Sequence, residues 1–134
     1  MHSPERPGST RFHWNRGGWF GGQVGASLWL VLLGCLVTAQ GRMVGAVILA
    51  LGLLPNLVGL ALWRNRHRLS AYPALQLLIG TAGISALVSM LILWRSGGSA
   101  PSLQLPSNLW YLLVYPGLML VFHLQERAAR KVAS

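Results

Sequence analysis

Four long tracts of this chain carry no formal charge. Between Arg16 and Arg42 lie 25 uncharged residues, between Arg42 and Arg64 lie 21, between Arg68 and Arg95 lie 26, and between Arg95 and Glu126 lie 30. A helix that crosses roughly 30 Å of hydrocarbon takes about 20 residues, so each tract admits one crossing. Only 10% of the 134 residues are charged and 53% are hydrophobic. A soluble domain carries about a quarter charged residues, because water must wet its surface. These tracts need lipid instead. The expected fold is a single-domain, all-α, integral membrane four-helix transmembrane bundle. Its spans are expected at about 19–40, 43–63, 71–94 and 108–124, between a polar basic tail, 1–18, and a short basic tail, 125–134.

The charges set an orientation. With four crossings, both termini and the central loop share one side. That side holds Arg6, Arg11, Arg16, Arg64, Arg66, Arg68, Arg127, Arg130 and Lys131, whereas the other holds only Arg42 and Arg95. Lys and Arg mark the cytoplasmic face, so the expectation is N-in and C-in, multi-pass, in a cell membrane of the bacterial inner-membrane kind. Trp19, Trp63, Trp94 and Trp110 fall near span ends, where aromatic belts form; Trp29 lies in mid-span. "VTA" before Gln40 and "LLGC" at Leu32–Cys35 resemble cleavage signals, but the chain stays apolar after both, so the first span is expected to remain uncut. The net charge of +9 does not read as nucleic-acid binding, since the basic residues form no groove-facing helix with interleaved aromatics. The partners it implies are the bilayer and anionic headgroups on the cytoplasmic face.

Small residues recur at helical spacing. Gly17, Gly21 and Gly25 are four apart, and Gly45, Gly52 and Gly59 are seven apart. Each set falls on one face of its helix. In lipid, such faces let helix backbones approach closely. Gly21, Gly25, Gly45, Gly52 and Gly59 are therefore candidate helix-packing residues, either within the bundle or toward a second copy or a membrane-complex partner. The third span carries small residues on two faces and is expected to be central.

Four polar residues lie inside the tracts: Gln23, Asn56, Gln76 and His123. An unpaired polar group in hydrocarbon is costly. All four fall in the cytoplasmic half when depth is counted at about 1.5 Å per residue. They form a candidate polar cluster, either a pocket open to the cytoplasm or a set of interhelical hydrogen bonds. Pro55 and Pro116 are candidate kinks, since each removes one backbone donor from its span.

No chemistry is signalled. Two carboxylates exist, Glu5 and Glu126, and both lie outside the spans. His123 and Glu126 are three apart, on one helical face, which reads as a local polar pair. The lone Cys35 has no disulfide partner. No catalytic residue, cofactor-binding residue or metal ligand is expected, and no cofactor. Small multidrug transporters share the four-span outline, but their membrane glutamate is missing. "GGQVGA" (Gly21–Ala26) and "NLVG" (Asn56–Gly59) resemble short pieces of the fluoride-channel family. Trp29 stands where that family's pattern has an arginine, and the break in its third span is absent, so none of its sites carries over. The expected function is a non-enzymatic accessory or oligomerising membrane subunit. The alternative is a small channel or carrier that uses the polar cluster.

Overall fold

The computed structural model describes residues 12–96 and 112–133. Four helices form, with no strand among the described residues: α1 (Arg16–Ala39), α2 (Val44–Arg64), α3 (Ala71–Arg95) and α4 (Val114–Ala133). The all-α expectation holds. Helices α1, α2 and α3 are long and apolar enough to cross a membrane, at 24, 21 and 25 residues. The tail before Phe12, Trp110 and the start of the expected fourth span lie outside the described residues, as does most of the loop after Arg95.

The chain reverses between α1 and α2 in four residues, Gln40 to Met43. Gly41 makes this possible, with φ of 75°, a left-handed conformation open to glycine at little cost. The Arg42 amide donates to the Val37 carbonyl and the Gly41 amide to that of Thr38. These two bonds close a Schellman motif over the helix end. Arg42 then reaches α3, where its Nη2 donates to the backbone carbonyl and Oγ of Ser96, 3.1 Å in each case. A cation at a helix C-terminus is favourable, because it meets the negative end of the dipole.

Helix α3 touches all three of the others, and α1 packs most extensively on α2. Burial agrees: 44% of the most apolar stretch of α3 is buried within the protein, against 28% for α1 and α2. Much of what remains outside is leucine and valine. On α1, Val24, Leu28, Leu32 and Leu36 are all about half exposed or more, on one face. An aqueous surface rarely carries so continuous an apolar patch.

Helix α4 differs from expectation in two ways. Leu112 and Leu113 form a 3-10 turn and the α-helix begins at Val114. Pro116 therefore sits in the first turn, where a missing donor costs little. The helix also continues to Ala133, so the expected tail from 125 onward is helical. Its sequence explains why. "QERAARKVA" is dense in strong helix formers, and Glu126 pairs with Arg130 one turn on, at 3.2 Å. Pro55 lies buried inside α2, which runs through it as one helix.

Candidate functional site

The α1–α2 seam is built on absent side chains. A Cβ on Gly45 would collide with the backbone and hydroxyl of Thr38, and one on Gly34 would lie 2.6 Å from the Leu49 amide nitrogen. At Gly52 it would stand 3.0 Å from Leu30 Cβ, and at Gly59 it would overlap the Gln23 amide at 2.5 Å. Gly45, Gly52 and Gly59 are thus the stripe that lets α1 lie directly on α2. Gly34 is their counterpart on α1. Spacing offers a signal for it, since Gln23, Ser27, Gly34 and Val37 share the α1 face that is buried.

Polar side chains stitch this seam. Gln23 Nε2 donates to the Asn56 carbonyl at 2.7 Å, Asn56 Nδ2 donates to Ser27 Oγ at 2.7 Å, and Ser27 Oγ donates to the Gln23 carbonyl at 3.0 Å. The circuit is closed, and Gln23 and Ser27 are almost wholly buried. Trp19 Nε1 adds a bond to the Gly59 carbonyl at 3.1 Å.

The other two polar residues belong to a different seam. Between α3 and α4, Gln76 Nε2 donates to the Met119 carbonyl at 3.1 Å and to Tyr72 Oη at 3.3 Å. Tyr72 Oη is 2.8 Å from His123 Nδ1. The structure therefore brings Gln23 to Asn56 and Gln76 to His123 through Tyr72. Among the described residues no hydrogen bond joins one pair to the other, so the four do not make one cluster. Depth along a helix fixed their level; the direction in which each side chain points divided them. His123 and Glu126 do not pair either, since Glu126 turns inward and binds Arg130.

The glycines of α1 have another fate. No atom lies within 4 Å of a Cβ placed on Gly21, Gly22 or Gly25. Gly21 shares the outward face with Val24 and Leu28, both about half exposed. Gly18, Gly22 and Gly25 instead line a cavity of about 890 Å³. Helices α1 and α4 form no packed seam, and the cavity is the slot left between them. Helix α3 forms its floor through Leu75, Leu78 and Ile79, and α4 its far wall through Leu118 and Phe122. Its volume falls in the range of small-molecule sites, about 300–1,000 Å³.

The slot's lining passes a bridge and continues to Met90, Leu112 and Val114. In that bridge Trp29 Nε1 donates to Tyr115 Oη at 2.9 Å, and Tyr115 Oη donates to the Ala26 carbonyl at 3.2 Å. This bridge crosses from α1 to α4, and Tyr115 rests against Gly83 of α3. At the other end stand His13, Trp14 and Asn15, with Phe12 packed on Tyr72 and Phe122. Trp14 holds the α2–α3 loop there, donating from Nε1 to the Leu69 carbonyl at 3.1 Å. Beside it, Trp63 meets Trp14 edge-on and carries the Arg66 guanidinium over its face, 4.7 Å from the ring centre.

Among the described residues no group of three or more His, Cys, Asp or Glu is placed to hold a metal ion. The comparison with known proteins adds no relative: no family model, curated protein or solved structure matches the chain.

Proposed function

We propose that this chain is a non-enzymatic, multi-pass protein of a cell membrane that serves as an accessory binding subunit, holding another membrane component in the slot beside the glycine face of α1. The observation that carries this reading is the contrast at the glycines. Those of α2 are filled by α1, whereas Gly22 and Gly25 face a ligand-sized apolar space. Four crossings with both termini in the cytoplasm fit the basic residues, nine on one side and two on the other. The carrier reading draws less support. Gln23, Asn56, Gln76 and His123 are engaged in two separate helix–helix contacts, which leaves no shared polar path between them.

Gentle extraction and mass analysis of what co-purifies tests the binding role. Wild-type protein should carry a component that the Gly22→Leu, Gly25→Leu double variant lacks. Identical content in the two would remove the basis of the reading. Reporter fusions test the orientation, and termini on opposite sides would refute N-in and C-in.

A further inference from the structure

We infer that the slot takes one acyl chain of an anionic phospholipid from the cytoplasmic leaflet, with the phosphate at the His13–Asn15 end. The inference rests on the proposed binding role and names its ligand. Along α3 the slot's lining runs from Ala71 to Met90, about 28 Å at 1.5 Å per residue, so an acyl chain fits lengthwise. The chemistry of the walls and rim selects it over a partner helix.

The walls suit the same occupant. Along most of its length the slot offers carbon: leucines, aromatic rings and the bare backbone of Gly18, Gly22 and Gly25. Polar side chains gather at one end, with His13 and Asn15. That end is also electropositive. Helices α1 and α3 both begin there, and neither has an acidic residue in its first turn. Helix N-termini favour anions. Arg16 follows Asn15 directly, and the loop tied to Trp14 carries Arg66 and Arg68. Among the described residues the one acid near this end of α4, Glu126, is paired through Oε1 with Arg130. An apolar slot with a cationic rim is the complement of an anionic amphiphile.

The test is native mass analysis of the full chain, extracted from vesicles of equal phosphatidylglycerol and phosphatidylcholine. Wild-type protein and the outward-face variant Gly21→Leu should each retain one phospholipid, mainly phosphatidylglycerol. Gly22→Leu, Gly25→Leu should lose it while keeping its helical circular dichroism. Arg16→Gln, Arg68→Gln should retain a lipid without preference between the two headgroups. Equal retention by all variants would overturn the inference. Loss of a co-purifying protein, rather than a lipid, from the Gly22→Leu, Gly25→Leu variant would overturn it and leave the binding role standing. Wild-type protein that shows no headgroup preference would overturn the phosphate assignment. A second measurement needs no variant. Phosphatidylglycerol with a photoreactive chain should label the slot-lining Ala26, Trp29, Leu118 and Phe122 in preference to the outward Val24 and Leu28, and equal labelling of both sets would contradict the slot.

Discussion

Two glycine faces in this protein look alike in sequence and behave oppositely in space. On α2, Gly45, Gly52 and Gly59 are pressed against α1, so that an added methyl group has nowhere to go. On α1, Gly22 and Gly25 face open space. The first face is used up in joining two helices of the same chain. The second remains available. Glycine spacing alone therefore says that a helix can approach something closely, and only the neighbouring helix decides whether it already has.

That contrast is sharpened by substitutions on the closed side. Gly45→Ala should have the largest effect, because the clash is with the Thr38 backbone and cannot be relieved by a rotamer change. A loss toward the upper end of the usual overpacking cost, about 3 kcal/mol, is expected in a detergent-unfolding titration. A loss below the error of the titration would mean that the seam is looser than described. Next comes the turn that makes the seam possible. Gly41→Ala forces a side chain onto a φ of 75° and should cost about 1–2 kcal/mol by the same titration. Asn56→Leu breaks the circuit that joins Gln23, Asn56 and Ser27. Interhelical hydrogen bonds in membranes average about 0.6 kcal/mol, so a loss near 1 kcal/mol is expected. Gln76→Leu, in the separate α3–α4 seam, should cost about half of that. Combining it with Asn56→Leu should give an additive loss, as for independent sites. A strongly non-additive pair would show that the two polar groups are one network after all.

The sequence made some of this legible and left the rest open for physical reasons. The first three helices were bounded to within a few residues because charges cannot enter hydrocarbon. Arg16, Arg42, Arg64, Arg68 and Arg95 therefore mark their ends. Gly41 announced the turn. The stripe on α2 was visible as a repeat of seven. What sequence could not supply was the choice of neighbour. Gln23, Asn56, Gln76 and His123 share a depth, yet rotation about each helix axis sends them to different seams. Tyr72 and Tyr115, which bridge helices, carry no periodic signal of their own. Ser27 was findable, one turn beyond Gln23 on the same face. The place of Pro116 in the first turn of α4 was not legible either, because it depends on where the helix begins.

The central claim is that the α2 face is closed and the α1 face open. The most direct measurement is the sign of the stability change in two matched variants, Gly45→Ala and Gly22→Ala. Glycine to alanine in an unobstructed helix position is neutral or gains up to about 1 kcal/mol, whereas a methyl group forced into a closed seam costs about 1–3 kcal/mol. Opposite signs are expected, with Gly45→Ala destabilised and Gly22→Ala unchanged or stabilised. Equal losses at both positions would contradict it, because α1 would then have a tightly packed neighbour where the structure leaves a slot.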